Sequence, residues 1–180
     1  AYNIYLKARF NHLRWDRHGI QKAIELYTQA IKLDAAYADP YFGLAYCFAM
    51  TGSWRPEPEL LALAQQHIDD GFKLDDQSAL GFYAQATLSF WGHWDFQKAQ
   101  ENYIKAIRLN PKYTEAEEGL IELYMAVGDF DNALKHVNQI LTINPLSTNH
   151  FFTKANIFYL KHDFKQAELV IDQALLLSPN

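Results

Sequence analysis

Residues Ala133–Pro145 read ALKHVNQILTINP. The same design recurs downstream at Ala167–Pro179 (AELVIDQALLLSP), and it stands upstream, at an equal interval, as Ala99–Pro111 (AQENYIKAIRLNP). Each copy carries Ala, then a bulky residue four on, then two further positions at intervals of three, then Pro. The third copy in the chain has Ala99, Tyr103, Ala106, Leu109 and Pro111; the fourth has Ala133, Val137, Ile140, Ile143 and Pro145; the fifth has Ala167, Ile171, Ala174, Leu177 and Pro179. Two looser copies lie upstream: Ala23, Tyr27, Ala30, Leu33 with Ala35 in place of Pro, and Ala64, Ile68, Gly71, Leu74 with Asp76. Spacing of four, three and three puts these positions on one stripe of an α-helix. Small residues in the stripe let a neighbouring helix come close, and Pro helps to end the helix. A fixed period of this size marks a stack of similar helix pairs, an architecture that binds rather than transforms.

The pattern resembles the tetratricopeptide repeat, a helix-turn-helix of about 34 residues. The preceding helix of each unit fits as well: Tyr41, Leu44, Ala45 and Phe48 before Thr51-Gly52; Leu120 and Tyr124 before Gly128-Asp129; Phe151, Ala155 and Phe158 before His162-Asp163. The resemblance implies an all-α superhelical solenoid of five repeats, near residues 4–37, 38–78, 79–113, 114–147 and 148–180, with ten helices alternating as A and B in one domain. Repeat two is seven residues longer than the standard unit. The surplus falls at about 54–60, around Arg55-Pro56-Glu57-Pro58-Glu59, where two prolines suit a loop that then starts a helix. Repeat three is one residue longer, near Gly92–Asp95.

Composition agrees with a folded binding module. The chain has 180 residues, 49% hydrophobic and 15% aromatic, and a chain of this size buries about 70% of the surface its unfolded form exposes. No apolar run of about 18 residues exists to span a membrane, and the start, AYNIYLKARF, lacks both a signal core and an initiator Met. The chain therefore reads as an excised piece, its last B helix awaiting more chain or another molecule. A lone Cys47, set among Ala45, Tyr46 and Phe48, reads as a buried apolar side chain. The absence of disulfides fits a cytoplasmic protein. Net charge is −5, yet the five repeats carry +3, −5, +2, −5 and 0. That alternation argues against non-specific nucleic-acid binding by the whole surface.

The resemblance implies that A helices line a concave face, with positions 2, 5, 9 and 12 of each unit pointing into it. That maps Tyr5, His12 and Trp15 in repeat one, with Arg9 beside them; Phe42 and Tyr46 in repeat two; Gln85 and Trp91 in repeat three; Glu115, Glu118 and Glu122 in repeat four; and Phe152, Asn156 and Tyr159 in repeat five. The expected groove is aromatic at both ends, which suits contact with a peptide or protein, and acidic in the fourth unit, which favours a basic or amide-rich ligand. Two plainer readings stand beside this one: the aromatic residues pack between adjacent A helices, and the carboxylates face the positive end of their helix dipole. The carboxylate-binding clamp of chaperone-binding relatives is missing, since Ala8, His12, Gly43, Gln85 and Glu118 occupy its positions.

No other grouping supports chemistry, so the chain is read as non-enzymatic, without metal or cofactor. His93 and Asp95 have no second His or Cys at ligand spacing, and no phosphate loop or nucleophile elbow occurs. Trp91 and Trp94 are expected to seal the longer turn of repeat three. Arg9, Arg14, Trp15 and Arg17 form a small basic patch, read as a solvated face or a contact for nucleic acid or a partner domain. Finally, the opening ten residues, GIQKAIELYTQAIKLD at 19–34 and YADPYFGLA at 37–45 resemble the repeat region of bacterial multidomain transcription regulators and class III nucleotide cyclases. That resemblance implies a sensory, protein-contacting role: the partner is a peptide, the protein's own output domain or another copy of itself.

Overall fold

The structure, a computed structural model, describes residues 1–14, 16–54 and 57–177, Trp54 by its backbone alone. The expectations for Trp15, for Arg55 and Pro56, and for Pro179 lie outside the described residues. All regular structure among the described residues is helical. The A helices are α1 (Tyr2–His12), α3 (Asp39–Trp54), α5 (Ala79–Thr87), α7 (Thr114–Ala126) and α9 (Thr148–Leu160). The B helices are α2 (Arg17–Leu33), α4 (Pro58–Leu74), α6 (Phe96–Leu109), α8 (Phe130–Ile143) and α10 (Phe164–Leu177). Five helix-turn-helix pairs thus follow the sequence period. They group into two compact units, Ala1–Pro111 and Lys112–Asn180.

The B-helix stripe is buried as its spacing predicts, with two corrections. Ala23, Tyr27 and Ala30, and their counterparts through Ala133, Val137 and Ile140, are closed to water. The fourth position is not: Leu33, Leu74, Leu109, Ile143 and Leu177 are each the last residue of their helix and stand open. In α10 the buried face is rotated by one residue, so Val170 is buried and Ile171 is exposed. Proline is dispensable for ending these helices. Asp34, Asp75, Asn110 and Asn144 leave the helical conformation alike, each donating its N–H four residues back, although Pro follows only the last two.

The A-to-B turn is built on aspartate. Asp16, Asp95, Asp129 and Asp163 precede four of the five B helices and accept the backbone N–H three residues on, from Gly19, Lys98, Asn132 and Gln166. This satisfies one of the donors left over at a helix start. The residue before the aspartate is left-handed in repeats three to five: Trp94 (φ 56°), Gly128 (φ 79°) and His162 (φ 62°).

The surplus residue of repeat three has a structural form. Helix α5 continues as a π turn, Leu88–Gly92, in which His93 N–H donates five residues back to Leu88 O. A π turn takes one residue more than an α turn, so the longer repeat still delivers Asp95 to its capping position. Trp94 does not seal this turn as expected. It is 73% exposed on a left-handed backbone; Trp91 is half-buried.

In the first unit, α3 is apolar on nearly every side and is buried accordingly. Phe42, Ala45 and Ala49 meet Ala64 and Ile68 of α4 and Ala84 of α5. Cys47 is fully buried, and burial pushes its thiol up from the usual range. A column of rings runs from α1 to α6. His12 stacks on Tyr46 at 4.1 Å, Tyr46 on Tyr83 at 5.4 Å, and Tyr83 lies 6.1 Å from Tyr103. A hydrogen bond joins His12 Nδ1 to the Tyr27 hydroxyl at 3.1 Å. Burial, aided by the nearby Arg9 charge, lowers His12 to about 3, so the ring is neutral at ordinary pH.

Candidate binding face

Two stripes in the second unit remain open to water. On α7, Glu115, Glu118 and Glu122 follow one another at intervals of three and four and so share a face. Glu115 and Glu118 are half-buried and Glu122 is exposed. Helix α7 is otherwise packed through Ala116, Gly119, Leu120, Ile121, Leu123 and Tyr124, which leaves the carboxylates on its open side. On α9, Phe152, Asn156 and Tyr159 share a face in the same way; Phe152 is 50% and Tyr159 59% exposed. The opposite side of α9 is held by His150, Ala155 and Ile157.

A histidine ties Glu118 to α9, on the side of that helix away from Phe152 and Tyr159. His150, buried in the first turn of α9, donates from Nε2 to Glu118 Oε1 at 2.8 Å. Its neighbour Glu117 points elsewhere: its Oε2 lies 2.6 Å from His136 Nδ1 of α8, and that ring stacks on Tyr124 at 5.6 Å. Glu122, one turn on from Glu118, sits beside it. Although the residue as a whole is exposed, desolvation at its carboxyl end and the Glu118 charge push the Glu122 carboxyl up to about 7. A site that resists a further negative charge in this way is relieved by a cation.

The first unit corrects the mapping of its own positions. Phe42 is fully buried and Tyr46 2% exposed, both in the core. Tyr5 and His12 are buried as well, Tyr5 with its hydroxyl bonded to Arg9 and Asp39. Burial and the Asp39 charge raise the Tyr5 hydroxyl to about 12. Arg9 is half-buried. Gln85 exchanges side-chain amide hydrogen bonds of 3.2 Å with Gln65 of α4, so it packs against a B helix. Phe42 also packs on α4, through Phe72 at 5.1 Å; the aromatic positions Tyr46 and His12 share another reason. Here α1, α3 and α5 pack closely enough for their facing rings to stack, so the positions expected to line a groove fill the seam between helices. Trp91 stands apart, on the π turn. The pairing of Glu117 and Glu118 with histidines went unseen in the sequence because each partner stands on a different helix, reached only through the fold.

Among the described residues no group of three His, Cys, Asp or Glu side chains can hold a metal ion. No described helix is long and apolar enough to cross a membrane.

Two tetratricopeptide-repeat family models match the sequence, one over residues 12–70 and one over residues 93–153. The chain belongs to the tetratricopeptide-repeat family. Among solved structures it is similar to TTC0263, a thermophilic tetratricopeptide-repeat protein of Thermus thermophilus, with a TM-score of 0.77 at 16% identity, over 99% of this chain and 92% of that one. It is also similar to MamA (TM-score 0.65, 19% identity, 99% and 91% of the two chains). YrrB, described as a protein with an unusual peptide-binding site, gives 0.61 at 19% identity over 97% and 86%. These likenesses establish the repeat fold alone. By sequence the chain is 25% identical to Superkiller protein 3 of Schizosaccharomyces pombe over 87% of its own length, and 25% identical to BBSome complex member BBS4 of Bos taurus over 81%. It spans 11% and 26% of those two proteins. Tetratricopeptide repeats are protein-interaction scaffolds, and the chain is one of them.

Proposed function

We propose that this repeat array is a non-catalytic docking module, and that it holds a basic, extended segment of a partner protein on the α7–α9 face of its second unit. The observation that carries the reading is that α7, with its acidic stripe, is bonded through Glu118 to α9, the helix that carries the aromatic stripe. A lysine or arginine of the partner answers Glu118 and Glu122, and its apolar neighbours lie on Phe152 and Tyr159. Within a bacterial signalling or transcription regulator, such a segment belongs to the output domain or to a partner that biases it, and the array works as the sensory part by population shift. The test is selection of unstructured peptides on the purified chain, followed by binding measurements with Glu122→Gln and Phe152→Ala. Enrichment of basic peptides and about a tenfold loss in each variant are expected. Peptides selected without regard to charge, or bound by both variants as tightly as by the parent, would reject the assignment.

A second reading has its own observation. Helix α10 leaves Phe164, Leu169, Leu175 and Leu176 exposed, an apolar surface that suits assembly with another copy. Sedimentation that is independent of concentration would count against it.

A further inference from the structure

The two departures from the repeat period meet in one place. The end of α3 and the start of α4, where repeat two is lengthened, and the π turn, where repeat three is lengthened, line a common cleft of about 170 Å³ in the first unit. Its walls are apolar: Pro58 and Leu61 on one side, Trp91 and Trp94 on the other. Among the described residues its one charged group is Glu57, which precedes α4 and makes no capping hydrogen bond with its side chain. Two glycines make room for the Leu61 wall. A methyl carbon on Gly52 would stand 2.8 Å from Leu61 Cδ2, and one on Gly92 would stand 3.0 Å from the same atom.

Three features mark the cleft. Trp94 leaves most of a large apolar ring in water, although folding usually hides such a ring. It does so from a left-handed backbone that disfavours every residue but glycine. The turn that presents it is a π turn, a form often retained at functional sites. The indoles are also braced from behind: Trp91 lies 4.7 Å from Phe90, and Trp94 lies 6.1 Å from Phe96.

We infer that this cleft is a second binding site, separate from the α7–α9 face, and that it receives an arginine side chain of a partner protein between the two tryptophans and Glu57. The chemistry selects that occupant. A wholly apolar group would cover Glu57 without pairing it, at the cost of a desolvated charge. A small hydrated cation would leave the indoles unused. Arginine answers both: its methylene stem lies on Leu61 and Pro58, and its flat, weakly hydrated guanidinium stacks on indole and pairs with a carboxylate. The cleft volume is of the order of one such side chain.

The test is fluorine NMR of the intact chain labelled with 5-fluorotryptophan, its four resonances assigned by single Trp→Phe variants. The probes are two tripeptides, acetyl-Gly-Arg-Gly-amide and the same peptide with citrulline, the neutral isostere of arginine. Saturable shifts of the Trp91 and Trp94 signals by the arginine peptide are expected. Binding should be about fivefold weaker or more for citrulline, and weakened similarly by Glu57→Gln, a change at an exposed residue whose side chain caps nothing. Equal binding of citrulline would make the cleft a plain apolar pocket and overturn the inference. So would the absence of any saturable shift at these two residues. The paired variant Glu122→Gln, Phe152→Ala should leave the response intact, which separates this site from the one proposed above.

Discussion

The left-handed position before the capping aspartate shows how unequally one backbone demand is met. Gly128 meets it without cost, whereas Trp94 and His162 adopt the same conformation with a side chain in the way. His162 lies 5.9 Å from the Phe164 ring, a neighbour in the same turn, so its side chain ties no distant element into the fold. His162→Gly is therefore expected to stabilise the protein by about 0.5–1 kcal/mol, measured by urea unfolding. Glycine is required elsewhere for the opposite reason, a lack of room. A methyl carbon on Gly43 would stand 2.6 Å from Tyr27 Cε1, and Tyr27 is fixed by burial and by its bond to His12. Gly43→Ala should cost about 1–3 kcal/mol by the same measurement.

For the helices, legibility depended on whether a stripe differed from its surroundings. The B-helix stripes were readable because small and bulky apolar residues alternate with charged ones. The α7 face was readable because three glutamates stand out against apolar neighbours. Helix α3, DPYFGLAYCFAMTGSW, offers no such contrast. Its spacing could not tell a groove-lining face from a seam-filling one, and Phe42 and Tyr46 fell on the seam. Aromatic positions that spacing alone groups together should therefore behave differently. Tyr46→Ala removes a ring stacked on both His12 and Tyr83 and should destabilise by about 3–5 kcal/mol. Phe152→Ala, half open to water, should cost far less, about 1 kcal/mol. Paired chemical denaturation curves decide the matter: similar losses would mean that α9 carries as much of the packing as α3.

Taken as a whole, the protein answers acid through two opposed groups. His12 is held near 3 in the fold but titrates near 6.5 when unfolded, so between those values the unfolded chain takes up a proton that the fold refuses. Stability should therefore fall as pH drops from 6.5 towards 3, by up to about 1.4 kcal/mol per pH unit. Burial lowers His67 also and adds to that loss. Glu122, raised from its usual 4.5 to about 7, works the other way: its contribution is present in acid and is lost as pH rises through 7. Glu122→Gln should thus raise the melting temperature at pH 8 relative to the parent, with the gain shrinking towards pH 5. A gain that does not change with pH would show that Glu122 does not titrate there. The His12 response could not be foreseen from sequence, because its ring is enclosed by Tyr27 and Tyr46 of other helices; the Glu118 charge beside Glu122 was legible from their spacing, the burial of the carboxyl was not.

The π turn has a bearing on how the chain tolerates a change in length. A codon gained in the middle of a tightly packed helix rotates every later side chain by about 100°, and such a change is normally purged. Here the added residue is taken up within one turn, and Asp95, Phe96 and the Ala99 stripe beyond it keep their places. Deletion of one codon within 88–92 is therefore expected to leave α6 folded in its place, and a cooperative melt of that variant checks it.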